Sequence, residues 1–214
     1  MVVSHEAGSR KTGEITPILT GSVLQFKVVL RGSRPSIWRR IQVPEGLSLS
    51  ALHEVIQVVM GWAGYHMHEF SYQGLRYGVP DPDWGDGEVL DERDLLLSDL
   101  SLSVKDKIFY EYDFGDGWEH VLTLEKILTL PELRTPLCLK GARACPPEDC
   151  GGIWGYEELL NALKDPDHEE HESMTTWLGG SFDPERFGLD GINRRLSHTK
   201  WVISPPRRRG SKRR

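Results

Sequence analysis

Leu24, Phe26, Val28 and Leu30 alternate with Gln25, Lys27 and Val29, a period of two that lays one face of an extended strand against a core. Arg31-Gly32-Ser33-Arg34-Pro35 interrupts the pattern, and Ile37, Arg39, Ile41 and Val43 resume it before Pro44-Glu45-Gly46 turns the chain. The two runs predict an antiparallel hairpin. Leu49, Leu52, Val55, Ile56 and Val59 then recur at helical spacing between a capping Ser48 and a terminating Gly61, which predicts a helix with one apolar face. Short strands follow over His66 to Tyr72 and Arg76-Tyr77 about a Gln73-Gly74 turn, and Val79 to Glu88 reads as an exposed Pro-, Gly- and Asp-rich loop.

The strongest hairpin signal is Ile108 to Phe114, turned by Gly115-Asp116-Gly117 and returned by Trp118 to Ile127, with aromatic and branched residues on both arms. Leu137 to Gly155 reads as a Cys-, Pro- and Gly-rich loop, with a helix over Tyr156 to Leu163. Asp165-Pro166 and Asp183-Pro184 each offer an N-cap and a first-turn proline for two further helices, the first ending at Leu178-Gly179-Gly180. Strands first and helices last predict an α+β fold, an antiparallel or mixed sheet of hairpins with one early helix and a C-terminal helical cluster. The expected organisation is an arm over 1–21, one domain over 22–203 and a basic tail over 204–214.

The chain has 214 residues and a net charge of -6, and no run of eighteen apolar residues that would read as a membrane span. Met1 to Gly13 carries Glu and Lys where a secretory leader has an apolar stretch, so the cytoplasm is expected. Three cysteines make no disulfide framework. The charge is uneven: residues 1–206 hold 20 basic against 32 acidic side chains, while Arg207, Arg208, Arg209, Lys212, Arg213 and Arg214 crowd the end. An acidic body argues against a broad DNA-binding face, and the six tail charges form a candidate nucleic-acid arm. Binding through that arm implies a log K against log salt slope of roughly -5.

Four groups of residues can carry chemistry. On a continuous strand His66 and His68 share a face and can offer two imidazoles to one divalent metal such as zinc; a polar strand face is the alternative. Asp113 and His120 sit just outside the Gly115–Gly117 tip, where they could face each other as a carboxylate–imidazole pair. Cys138, Cys145 and Cys150 are spaced C-x6-C-x4-C, which matches no zinc ribbon but admits a Cys3His site completed by His66, His68 or His120; buried thiols filling a loop are the competing reading. Gly151-Gly152-Ile153-Trp154-Gly155 lacks the Lys-Ser/Thr step of a P-loop and reads as a tight turn that stacks Trp154. His168 and His171 read as a solvated helix start.

The residues Phe26 to Gly32, Pro35-Ser36-Ile37-Trp38-Arg39-Arg40, Leu52-His53-Glu54-Val55-Ile56-Gln57, Met60-Gly61-Trp62, His66 to Phe70, Tyr112 to His120 and Cys145 to Gly152 with Gly155-Tyr156 together resemble the plasmid pRiA4b ORF-3-like family over about residues 22–197. The resemblance implies a single α+β domain without an established biochemical activity, in a family sometimes labelled transposon- or resolvase-associated. No arrangement of a nucleophilic serine among arginines supports the resolvase label. Two functions from different classes follow. One is a binding or accessory protein associated with mobile elements, supported by loop aromatics such as Trp62, Trp118 and Trp154. The other is a metal-dependent hydrolase in which His66, His68, Asp113 and His120 act with Glu148 or Asp149 as ligand or general base. A third, structural reading has the Cys145–Gly155 loop folding over the Asp113–His120 hairpin to close the core.

Overall fold

The alternating run that begins at Ser22 becomes β1 (Ser22–Leu30), and its continuation becomes β2 (Trp38–Pro44), paired antiparallel with Phe26 opposite Ile41 and Val28 opposite Arg39. The computed structural model describes residues 21–80, 89–130 and 132–205. The strands β3 (His68–Tyr72), β4 (Leu75–Gly78), β5 (Val89–Asp91), β6 (Lys107–Tyr112), β7 (Trp118–Thr129) and β8 (Leu137–Ala142) complete an eight-stranded sheet in the order β5-β4-β3-β6-β7-β1-β2-β8. Every pairing is antiparallel except β4 with β5, so the sheet is mixed, as the α+β reading requires.

One face of this sheet is apolar and aromatic. Cross-strand pairing places Leu30, His120, Tyr110, Phe70 and Tyr77 in one row across five strands, and all five are buried. The opposite face is polar, with Gln25 and Arg40 donating to Glu125 and Gln42 donating to Gln25. Helix α1 (Leu49–Met60) begins where Ser48 Oγ accepts from the Ala51 amide and ends at a left-handed Gly61, as its caps predict. Its buried Leu49, Leu52, Val55, Ile56 and Val59 join the core formed by the sheet's apolar face, each contributing roughly 1.5–3 kcal/mol of burial. The last turn of α1 carries no basic residue. Its free carbonyls are met from elsewhere: Arg39 Nε donates to Val59 O at 2.8 Å and Arg195 Nη2 to Val58 O at 2.9 Å.

The second half departs further from the sequence pattern. Leu137–Ala142 is not loop but the edge strand β8, with Ile41 opposite Cys138; its Gly141 and small residues hide the alternation, and the Phe187 ring lies where a Gly141 Cβ would stand, at 2.6 Å. Helix α2 (Gly152–Lys164) starts four residues earlier than the apolar spacing implies. Helix α3 (His171–Leu178) and α4 (Leu189–His198) start later, because Asp165 and Asp183 cap short turns, each accepting an amide two residues on, in place of helix starts. The parallel strand β5 had no sequence signal. Most of the predicted 79–88 loop, the 1–20 arm and the 206–214 end of the tail lie outside the described residues. Among the described residues no helix is long and apolar enough to cross a membrane.

Candidate functional site

The β6–β7 ladder closes at Tyr112 opposite Trp118, and the five residues between them build one wall of the site. Asp113 adopts φ 57°, the left-handed region. It holds that conformation through a local network: its amide donates to Met67 O at 2.8 Å, its carbonyl accepts from Gly117 at 2.6 Å, and Oδ1 accepts from Gly115 at 3.0 Å. One carboxylate oxygen therefore folds the turn and the other, Oδ2, faces His66 Nε2 at 3.6 Å. The bond to Met67 O is what sets His66 beside the hairpin tip.

The second wall is the segment leading into α2. Trp62 Nε1 donates to Pro146 O at 3.0 Å, the Ala63 amide to Glu148 Oε2 at 2.9 Å, and the Tyr112 hydroxyl to Glu148 Oε1 at 2.6 Å. Glu148 is thus a strut between α1's exit and β6. Gly151 then donates to Asp116 Oδ2 at 3.2 Å. Gly152, at φ 68°, lies so close to the hairpin that a Cβ would stand 2.2 Å from Asp116 O, so only glycine admits this contact. The Cys145–Gly155 segment does fold over the hairpin, and the glycines are its means of close approach.

These anchors deliver Asp149. Its Oδ2 accepts from the Tyr65 hydroxyl at 3.1 Å and its Oδ1 lies 3.1 Å from His66 Nε2. One ligand atom each from His66, Asp113 and Asp149 lies within 4.8 Å of the others, the only such trio among the described residues. His66 Nε2 is sealed from solvent and makes no hydrogen bond of good geometry despite both approaches. Asp149, at φ 60°, shares the left-handed backbone of Asp113; two carboxylate residues are held in a conformation that costs about 1 kcal/mol or more apiece. The surroundings are negative. Burial raises the Tyr65 hydroxyl above its usual value, and the bond to Asp149 and the charges of Glu148, Asp149 and Asp113 raise it further. Tyr112 is raised by burial and then by Glu148.

The other predicted residues go elsewhere. The strand begins at His68, so alternation does not reach back to His66 and the two imidazoles share no ligand set. His68 Nε2 donates to both oxygens of Glu92, 3.0 Å each, and stacks on His53 with ring centroids 3.5 Å apart. His120 does not face Asp113 across the ladder, because it pairs with Tyr110 two residues further along. It is 1% exposed, Nδ1 donates to Trp118 O at 2.9 Å, and burial pulls its pKa down to about 4. Cys138, Cys145 and Cys150 form no ligand group among the described residues. They are free thiols; burial raises Cys138 to about 11 and Cys150 to about 12, the behaviour of packing groups. His171 Nδ1 lies 2.8 Å from Ala162 O and His168 Nδ1 accepts from the Glu170 amide. Trp154 is 81% exposed and stacks on nothing described. The tail residues Arg207 to Arg214 fall outside the described residues.

Two buried groups escaped the sequence reading. Glu92 is 1% exposed and nothing in its local pattern marks it. Arg39 is 2% exposed, and here a signal exists: it occupies an inward position of the Ile37, Arg39, Ile41, Val43 alternation.

With this geometry in view, the relatives are informative about kinship. The model of the plasmid pRiA4b ORF-3-like protein family matches residues 22–191. The uncharacterized protein y4hQ of Sinorhizobium fredii (strain NBRC 101917 / NGR234) is 38% identical over 187 residues, covering 86% of this chain and 96% of that protein. A crystal structure of MM3350, a protein of unknown function from Methanosarcina mazei Go1, superposes with a TM-score of 0.72 at 41% identity, covering 80% of this chain and 97% of that one. By both the extent of the family match and the identity of these relatives, the chain belongs to the plasmid pRiA4b ORF-3-like family.

Proposed function

We propose that this protein is a binding module that holds one divalent cation between His66 Nε2, Asp113 Oδ2 and Asp149 Oδ1. The observation that carries the reading is the convergence of those three atoms within 4.8 Å around a solvent-sealed imidazole nitrogen with no hydrogen bond. A buried ring nitrogen beside two carboxylates is costly unless a cation or proton lies among them. One imidazole and two carboxylates suit Mn²⁺, Fe²⁺ or Zn²⁺ better than an all-oxygen Ca²⁺ cage. Three protein ligands leave coordination positions for an oxygen of a bound partner.

Binding is favoured over hydrolysis by the fate of the candidate acid–base groups. His120 is sealed in the core, Glu148 is bonded to Tyr112 and Ala63, and His68 is bonded to Glu92. None is left beside the trio to move a proton. The mobile-element association rests on the family label and draws no support from these residues. The test is titration of tag-free protein with Mn²⁺, followed by electron paramagnetic resonance. The expected result is one saturable site per chain, weakened at least about tenfold by His66→Ala or Asp149→Asn. Absence of a saturable site, or affinity indifferent to His66→Ala, overturns the reading.

A further inference from the structure

Between the C-terminus of α1 and the start of α4 lies a second concavity that is strongly basic in an otherwise acidic body. A cleft of about 710 Å³ is lined by Arg39, Arg186, Arg194 and Arg195, and no carboxylate contributes to its lining. Its size is that of an ordinary small-molecule site. Residues 1–206 are net acidic, so four arginines without an acid concentrate in one place what the rest of the body lacks.

Arg39 forms part of this lining and is the unusual member. The residue is 2% exposed and its guanidinium donates only to main-chain carbonyls: Nε to Val59 O at 2.8 Å, Nη1 to Trp38 O and Ala142 O at 2.9 Å each. The Phe187 ring lies 4.9 Å from its central carbon. The ionisable groups that act on it are the thiols of Cys145 and Cys138. Burial raises both thiols, so they stay neutral and leave the cation without a counter-charge. Its charge is met by main-chain carbonyls, one of them at the negative, C-terminal end of α1, and by no carboxylate.

The rest of the cleft supplies contacts. Arg186 and Arg194 are exposed and have no ion-pair partner among the described residues, in contrast to Arg143, which pairs with Glu185 at 2.5 Å. Gly188, Gly191 and Arg195 recur at i, i+3 and i+7 at the start and along one face of α4. No atom lies within 4 Å of where a Cβ on Gly188 or Gly191 would stand; the two glycines leave the cleft open and bare the main chain at the N-terminal, positive end of α4. Two exposed guanidiniums without an ion-pair partner among the described residues, beside bared main chain at a helix N-terminus and a buried guanidinium held by carbonyls, suit an oxyanion.

We propose that this cleft binds a small, soluble polyanion of the di- or triphosphate class, with Arg186 and Arg194 as direct contacts and Arg39 as the fixed charge behind them. The site is independent of the cation site at His66. The experiment is isothermal titration of the full-length protein with pyrophosphate, with inorganic phosphate and chloride at matched ionic strength for comparison. A chelator is present throughout, so that metal cannot recruit phosphate at the hairpin tip. Saturable 1:1 binding of pyrophosphate, tighter than inorganic phosphate, is expected. Arg186→Ala with Arg194→Ala should weaken it at least about tenfold. Gly191→Leu should do the same without altering any charge, and its site in open space leaves thermal unfolding intact. No saturable binding up to about 10 mM pyrophosphate, or binding untouched by both the arginine pair and Gly191→Leu, overturns the proposal. The second outcome would place the anion elsewhere, with the basic tail the first region to test.

Discussion

His66 and His68 stand two residues apart and meet opposite fates. His68 is the first residue of β3, so its ring is carried onto the inner face, where both oxygens of Glu92 accept from Nε2 and His53 stacks upon it. The network extends inward: the Tyr110 hydroxyl accepts from Gln57 Nε2 at 2.9 Å and lies 2.8 Å from His53 Nδ1. His53 Nδ1, His68 Nε2 and the Tyr110 hydroxyl are answered by protein there, while Gln57 Oε1 is not. His66 lies before the strand, at the mouth between hairpin tip and α2 segment, and meets two carboxylates that are tied to other partners through their second oxygens. An imidazole–carboxylate contact is therefore not a site in itself. A closed network rigidifies; an unclosed one, with excess negative charge, is where a cation fits.

The largest effect should come from breaking the closed network. Glu92→Ala leaves His68 buried without its acceptor and should destabilise the fold by about 3–5 kcal/mol, measured by urea unfolding. Mn²⁺ affinity of the folded fraction should be unchanged; a parallel loss of metal binding would mean that the two regions act as one.

Acidification should come next. His53 and His120 have pKa values lowered by burial, to about 3 and about 4, with the His68 ring adding to the effect on His53. The unfolded chain takes up their protons near pH 6.5 and the folded chain does not, so stability present at neutral pH is lost as pH falls below about 6.5. Between pH 6.5 and pH 5 the loss is roughly 1.5 kcal/mol for each histidine. A urea midpoint flat over that range would show that the core histidines charge in place.

His66→Ala should cost less than about 1 kcal/mol of stability while removing the cation site, the reverse of the Glu92 variant. The smallest effect belongs to Trp154→Ala: its side chain is exposed, so stability should change by less than about 0.5 kcal/mol. A thermal shift beyond that would reveal packing that the exposure of Trp154 does not suggest.

The strands and first helix were legible because burial imposes a period on sequence: the Leu24–Leu30 alternation and the Ser48-to-Gly61 caps needed no tertiary information. β8 was hidden because Gly141 and Lys140 break its alternation, and β5 because a three-residue parallel strand has too little pattern to show. At the site, sequence pointed to His66, Asp113 and the Glu148-Asp149 pair, since polar residues gathered beside turn glycines. It could not assign Glu148 to the strut and Asp149 to the trio, which depends on the reach of Tyr112 and Tyr65. It also paired Asp113 with His120, an error of register, since the ladder sets His120 against Tyr110.

On this reading His66, Asp113 and Asp149 form a cation site that the neighbouring His68 and Glu92 do not share. The decisive experiment is a crystal grown with Mn²⁺ and recorded at the manganese edge. The predicted result is one anomalous peak about 2.0–2.3 Å from His66 Nε2, Asp113 Oδ2 and Asp149 Oδ1. No peak there, or a peak bound by His68 and Glu92, would contradict it.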